Sequence, residues 1–164
     1  MAHAQYVSQG IATKAFGVTF RSKLEAQWAY YLTENKLPWD YADSEWHDFL
    51  LEGCCHLEVK PRGLDFLLDA LERAWPHKDA WHDKTMLFVL GEPESSVWCV
   101  VQVLDCSDCA SLSLSGKDNA GNHLSIVFAW NSREGVYGHW CEHGVFHPEK
   151  EIGHCNQPLS PGPS

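Results

Sequence analysis

The feature that most constrains the fold of this chain is the spacing of three charged residues around a short hairpin. Asp48 is followed after nine residues by Glu58, and Lys60 comes two positions later. Residues two apart on a strand project from the same face, so Glu58 and Lys60 would share a face while Leu57 and Val59 point into the core. The spacing therefore predicts a bent hairpin whose end brings two carboxylates and one ammonium together.

A helix is predicted to precede this hairpin, over residues 22–35. Ser22 and Glu25 have the spacing of a capping box, in which the glutamate side chain bonds the Ser22 backbone N–H. That structural role accounts for Glu25 without any chemistry. Four apolar residues recur at the period of a helix and form one stripe facing the core. They are Leu24, Trp28, Tyr31 and Leu32.

The order of elements up to about residue 91 predicts the class of fold. Strands are expected at 39–42, 48–51 and 54–60, a helix after Gly63, and a fully apolar strand at 86–90. The chain is thus predicted to be an α/β (α+β) protein with the order helix, three strands, helix, strand. We expect a loose lead-in over 1–15, a core over 16–93, further strands with a Cys/His cluster over 94–157, and a disordered tail over 158–164. The Ser/Gly/Asn-rich residues 111–123 are expected to form a hairpin or loop.

Charge and composition limit the partners of the chain. Twelve Lys and Arg against 22 Asp and Glu give a formal charge of −10. This argues against broad, non-specific binding of nucleic acid, which depends on neutralising phosphates with basic side chains. No segment approaches the roughly 20 apolar residues of a membrane span. The N-terminus also lacks the basic and apolar regions of a signal peptide, so a cytoplasmic protein without membrane contact is predicted.

The motifs, taken in order, resemble the PD-(D/E)XK nuclease superfamily, whose fold is called restriction-endonuclease-like. The similarity is greatest to small phage-type and transposase-type members, in which an Arg-Ser-x-Leu-Glu helix precedes the core. Here residues 20–29 read FRSKLEAQWA, residues 39–41 read WDY and residues 58–61 read EVKP. The resemblance implies a restriction-endonuclease-like core. It also implies hydrolysis of DNA, as an endonuclease or exonuclease, by a water that Mg²⁺ (or Mn²⁺) activates, leaving a 5′-phosphate.

The residue types fit that chemistry. Hydrolysis of a phosphodiester needs a metal ion and a group that positions the water, and Mg²⁺ prefers carboxylate ligands. Asp48 and Glu58 would supply them, and Lys60 would orient the water or stabilise developing charge. The resemblance further implies that Glu25 is a third acid at the metal and that the backbone carbonyl of Val59 is a ligand.

The chain departs from the family pattern directly before Asp48, where the family has a proline and this sequence has His47. Two interpretations of His47 remain open. It either serves the site, as a proton shuttle or a substrate contact, or is a surface histidine.

Seven cysteines and ten histidines, without a secretion signal, indicate zinc rather than disulfides. Cys106 and Cys109 have the spacing of half a zinc site, and Cys141 with His143 is the first choice for the other half. This structural Zn²⁺ would hold a small zinc-ribbon-like β appendage, such as several small family members carry. The alternative is two unrelated sets of reduced thiols. The substitutes for the last ligands are His147, His154 and Cys155.

Three functions are consistent with these patterns. The first is a Mg²⁺-dependent nuclease that binds DNA, either unaided or delivered by a protein partner. The second is a catalytically silent, acidic phage-type protein that binds and blocks a host protein or imitates the charge of DNA. The third is a zinc-binding adaptor. The sequence leaves the oligomeric state open, and the resemblance allows a homodimer.

Overall fold

The computed structural model describes residues 11–42, 44–52, 55–105, 107–140 and 146–148, with backbone alone for 136–140 and 146–148. The chain is a mixed α/β protein with two α-helices in these ranges and a large mixed sheet, which confirms the predicted mixture of helices and strands. None of the described helices combines the length and the apolar character needed to cross a bilayer.

The two helices are α1 (Lys23–Glu34), between β2 and β3, and α2 (Leu64–Ala74), between β5 and β6. From α1 to β6 the described order is helix, three strands, helix, strand, as predicted. Short 3-10 helices cover Trp75–Ala80, His82–Lys84 and Pro93–Ser95. The strands are β1 (Thr13–Ala15), β2 (Val18–Phe20), β3 (Trp39–Tyr41), β4 (Phe49–Leu51), β5 (Cys55–Lys60), β6 (Thr85–Leu90), β7 (Val97–Val103), β8 (Cys109–Lys117), β9 (His123–Asn131), β10 (Gly135–Trp140) and β11 (Phe146–Pro148).

The described strands form a small hairpin, β1–β2, and a nine-stranded sheet in the order β11-β10-β9-β8-β7-β6-β5-β4-β3. Only β5 and β6 pair in parallel, with Val59 opposite Val89; the other neighbours in the sheet are antiparallel. Parallel neighbours need a crossover connection, and α2 supplies it. Strand β5 therefore belongs both to the antiparallel hairpin β4–β5 and to the one parallel pair among the described strands.

Both faces of the sheet are covered near β6, because alternate side chains of this strand enter two different apolar clusters. Met86 and Phe88 pack in the cluster that contains α2, and Val89 packs in the cluster that contains α1. All three side chains are fully buried. This two-sided burial explains why β6 reads as a continuous apolar run in the sequence.

The described strands beyond residue 93, for which a small zinc-ribbon-like β appendage is predicted, lie in the main sheet. Strands β7, β8 and β9 continue the main sheet by antiparallel pairing with β6 and with one another. Residues 111–123, expected to form a hairpin or loop, cover the later part of β8 and the turn of the antiparallel hairpin β8–β9, in which Lys117 lies opposite His123. The expected hairpin is thus confirmed. Leu112 and Leu114 are buried there while Ser113 and Ser115 are exposed, which is the alternation of a half-buried strand.

Candidate functional site

Asp48 lies directly before β4 and is bound on three sides. Its N–H donates to Leu57 O (2.9 Å), and its carbonyl accepts from Ala42 N (2.8 Å). The side-chain Oδ2 accepts the backbone N–H of Val59 at 2.8 Å. The carboxylate thus takes the place of a backbone partner where the β4–β5 ladder ends, and only 1% of the residue is exposed.

Glu58 and Lys60 on β5 project from the same face, as their spacing predicts. Leu57 and Val59 alternate with them and pack in the α1 cluster. Lys60 Nζ lies 2.9 Å from Glu58 Oε1. The other carboxylate oxygen, Glu58 Oε2, is buried and has no hydrogen-bond partner among the described residues. A buried carboxylate oxygen without a donor is costly, so this atom needs a cation, a proton or an ordered water as its partner.

Glu25 is placed by the start of α1. Ser22 is the N-cap, and its Oγ accepts the Glu25 N–H at 3.1 Å, as a capping box requires. The reciprocal bond differs from the prediction, because Glu25 Oε2 accepts the N–H of Arg21 (3.1 Å) rather than that of Ser22. The same oxygen accepts the Tyr41 hydroxyl at 2.8 Å. Glu25 therefore lies at the capped N-terminus of α1 and also belongs to a polar cluster with Tyr41 of β3.

Arg21 connects the acids. Its Nη2 bonds Asp48 Oδ1, its Nε lies 3.8 Å from Glu25 Oε1, and its Nη1 donates to Ser44 O at 3.1 Å. Sequence reasoning included neither Arg21 nor Tyr41 in the acid site. The sequence signal for Arg21 is its place in the Arg-Ser-x-Leu-Glu pattern, directly before the N-cap of α1, whereas its partner Asp48 is 27 residues away.

Burial and mutual repulsion act on the three acids. Burial, and then the charge of Glu58, raises the pKa of Asp48 to about 8. Burial also raises the pKa of Glu58, and Lys60 opposes the rise. Burial followed by Asp48 raises the pKa of Glu25. Burial alone would lower the pKa of Arg21, but Asp48 and Glu25 outweigh it and raise that pKa. The three carboxylates are therefore close enough to repel one another.

These residues fit a divalent cation. The site offers hard carboxylate oxygens, one of them buried without a donor among the described residues, and three acids whose mutual repulsion a cation would offset. In the present arrangement, however, the described part of the chain contains no group of three His, Cys, Asp or Glu side chains close enough together to hold an ion. The Arg21 guanidinium instead lies against Asp48. A metal that uses Asp48 Oδ1 therefore has to displace Arg21 from that oxygen.

The raised pKa of Asp48 predicts a pH dependence of folding stability in metal-free buffer. The ordinary pKa of an aspartate is about 4, and the folded value is about 8. Between these values the folded protein holds a proton that the unfolded chain has lost, so the free energy of unfolding falls as pH rises. One such group contributes at most about 1.4 kcal/mol per pH unit. We expect a loss of about 1–2 kcal/mol between roughly pH 6.5 and 8.

Urea unfolding in chelator at several pH values measures this slope. His47 and His56 oppose this slope, because burial lowers their pKa values in the folded protein while an unfolded histidine, with a pKa near 6.5, still binds a proton around that pH. The loss caused by Asp48 is therefore measured as the difference between the wild type and Asp48→Asn, which share both histidines. Asp48→Asn should remove most of the loss, since asparagine has no proton to release. Equal slopes in the two proteins would show that Asp48 does not titrate in this window.

His47 is half-buried rather than on the surface, and its Nδ1 lies 2.8 Å from Ser44 Oγ. Burial, followed by the charges of His56, Arg21 and His77, lowers the pKa of His47 to about 4. The imidazole is therefore neutral near pH 7. Its position next to Asp48 keeps open the role of a proton shuttle or substrate contact.

The zinc site stays a prediction. Cys109 is buried at the start of β8, where its Sγ accepts the side-chain amide of Asn131 at 3.3 Å. The other three predicted ligands, Cys106, Cys141 and His143, lie outside the described residues, as do two of the substitutes, His154 and Cys155. For His147, in β11, the structure gives the backbone alone.

Comparisons of the chain with protein-family models, with curated proteins and with solved structures find no match.

Proposed function

We propose that this protein hydrolyses phosphodiester bonds of DNA with the help of Mg²⁺ or Mn²⁺. The observation that carries the proposal is the buried pair of acids, Asp48 and Glu58, beside Lys60 at the end of the β4–β5 hairpin. Glu58 Oε2 is buried there with no donor in the part of the chain that the structure describes, and the Lys60 ammonium pairs with Glu58 Oε1. A purely structural site would gain stability from apolar residues in these positions. The resemblance to the PD-(D/E)XK superfamily is consistent with this function.

Asp48 and Glu58 would hold the metal, with Glu25 as a further acid and the carbonyl of Val59 as a backbone ligand. When bound, the ion polarises the phosphoryl group and lowers the pKa of a water. The protein residues contribute position and charge. The Val59 N–H fixes the Asp48 carboxylate, and Tyr41 together with the Arg21 N–H fixes Glu25. Such fixed carboxylates need little rearrangement when a cation binds.

Lys60 would orient the attacking water and stabilise negative charge on the phosphoryl group. Its side chain is 12% exposed and is held against Glu58 Oε1. An ammonium at this position, shielded from solvent, interacts more strongly with developing charge than one in water. The Lys60 carbonyl is also fixed, because it accepts the N–H of Gly91 at 2.8 Å.

Cleavage of a panel of DNA substrates tests the proposal. Linear double-stranded, branched and single-stranded DNA are incubated with the intact protein and Mg²⁺ or Mn²⁺. Cleavage of at least one substrate is expected, leaving 5′-phosphate ends. Removing the metal with chelator should abolish it, and returning the metal should restore it.

The absence of cleavage on every substrate, by a folded protein supplied with metal, would contradict the proposal. It would favour the second candidate function, a catalytically silent acidic protein that binds a host protein or imitates DNA. The formal charge of −10 is the observation in favour of that candidate.

A further inference from the structure

A pocket of about 490 Å³ adjoins the acid site and is lined by Arg21, Glu45, Arg73, Pro76 and His77. We propose that this pocket binds a phosphate group of a nucleic-acid strand and so places the strand against the carboxylates. The inference rests on the proposed function for its substrate, but its own test is binding rather than cleavage.

The pocket shares a wall with the acid site. Arg21 lines the pocket, and the same guanidinium bonds Asp48 and approaches Glu25. Its side chain is 45% exposed, so it can also contact a ligand in the pocket. A phosphate bound there would draw the guanidinium away from Asp48, which is the movement that metal binding at Asp48 Oδ1 requires. Binding of the strand and of the metal would thus support each other.

A second guanidinium, that of Arg73, lines the same pocket as Arg21 but comes from another element. Arg73 comes from the last turn of α2, whereas Arg21 precedes α1. Its Nη2 lies 2.8 Å from Asp69 Oδ2, one helical turn away, and the two side chains are 36% and 27% exposed. A partly exposed pair between residues one helical turn apart is weak. Phosphate can therefore compete for Arg73, whose forked donors match phosphate oxygens well.

The lining of the pocket also includes an aromatic ring, that of His77. His77 is exposed, and its ring is stacked on Trp46 with centroids 5.4 Å apart and planes 11° apart. Trp46 in turn contacts the ring of His47, at 4.0 Å between centroids, and His47 directly precedes Asp48. A groove that combines guanidinium groups with flat rings is typical of proteins that bind single-stranded nucleic acid. The pocket volume leaves room for the sugar that accompanies the phosphate.

Glu45 is the one acidic side chain among the described residues lining this pocket. It limits the net positive charge there, in keeping with the acidic character of the whole chain. We therefore expect modest affinity that depends on a few directed contacts, rather than the broad attraction of a basic surface.

Fluorescence anisotropy with a labelled single-stranded oligonucleotide tests the pocket. The intact chain carrying Glu58→Gln is used in chelator, so that cleavage plays no part. Adding Arg73→Gln should weaken binding about tenfold, the loss expected for one charge-assisted contact, and should reduce the salt slope by about one. Oligonucleotides with a 5′-hydroxyl and with a 5′-phosphate distinguish the source of the phosphate. Equal affinities for the two oligonucleotides indicate that the pocket binds an internal phosphodiester. Tighter binding of the 5′-phosphorylated oligonucleotide, if Arg73→Gln removes the difference, indicates that it binds a terminal phosphate.

Asp69→Asn is the matched control, because it breaks the same ion pair but keeps Arg73. It should leave the affinity unchanged or increase it. Equal weakening by Arg73→Gln and Asp69→Asn, or no weakening by Arg73→Gln, would overturn the inference. If cleavage is never observed but binding depends on Arg73, the pocket stands and the nuclease fails. If the wild type cleaves DNA and Arg73→Gln changes neither KM nor affinity, the pocket alone fails.

Discussion

Replacing Lys60 with methionine should reduce metal-dependent cleavage of DNA by about 10²–10³-fold, the usual loss when one preorganised electrostatic group is removed. Methionine keeps the length of the apolar stem, so the packing around β5 changes little. The ammonium that lies 2.9 Å from Glu58 Oε1 is lost. Initial rates at saturating metal, with the substrate that the wild type cleaves best, measure the effect.

The same change should also cost folding stability. Glu58 is buried, with Lys60 as its ion-pair partner, and breaking a buried pair leaves an uncompensated charge. Burial has already raised the pKa of Glu58, so the carboxyl can take up a proton in response. We therefore expect a loss of about 1–3 kcal/mol, measured by urea unfolding in chelator.

A double variant tests the origin of the stability loss. Adding Glu58→Gln to Lys60→Met removes the unpaired charge, so stability should return toward the wild-type value. Lys84→Met is the control, because it removes an exposed lysine that pairs with Asp79 outside the site. It should cleave like the wild type. Wild-type rates of cleavage by Lys60→Met, at a temperature at which circular dichroism shows that it is folded, would assign Lys60 a structural role only.

Replacing Trp28 with alanine should destabilise the fold by about 4–6 kcal/mol. Removal of a buried Trp side chain costs about 3–5 kcal/mol, and the lost hydrogen bond adds about 1 kcal/mol. Trp28 is 0% exposed and packs its ring against Tyr31 and Trp98. Its indole N–H donates to Gly91 O at 2.9 Å. Natural domains have about 5–15 kcal/mol in total, so this single change brings the protein close to unfolding.

Thermal unfolding followed by circular dichroism measures this loss, and the Tm should fall by more than about 10 °C. Tyr30→Ala is the matched control on the same helix, because Tyr30 is 54% exposed. It should change the unfolding free energy by less than about 0.5 kcal/mol. Similar losses in the two variants would contradict the burial of the α1 face. Gly91 also bonds Lys60 O through its N–H, so Trp28 supports the site as well as the core.

The parts of the fold with a clear local period were predictable. The apolar stripe and the Ser22 cap define α1 to within one residue at each end, and the Glu58-x-Lys60 spacing gives the orientation of β5. The hairpin β1–β2 is not predicted, because its strands have three residues each, too short for a period, and carry no motif such as the WDY of β3. The Ser/Gly/Asn-rich composition of residues 111–123 predicts a hairpin or loop, and these residues form the later part of β8 and the turn to β9.

The arrangement of the site was predictable only in part. The pair of Glu58 and Lys60 follows from local geometry, because the two residues are neighbours on one face of a strand. The bond of Asp48 Oδ2 to the Val59 N–H and the contact of Arg21 with Asp48 do not, because each depends on how distant segments pack. The pairing of β6 with β7, which extends the sheet past residue 93, also depends on tertiary packing and does not follow from the local sequence pattern.

Binding of Mn²⁺ to the intact protein, measured by isothermal titration calorimetry, tests the central claim most directly. The wild type should bind Mn²⁺ saturably, and Glu58→Gln should weaken that binding by at least about tenfold, because it removes one charged ligand. Asp65→Asn, which neutralises an exposed carboxylate at the start of α2, should leave binding unchanged. The same affinity in wild type and Glu58→Gln, or no saturable binding to the wild type, would contradict a metal site formed by Asp48 and Glu58.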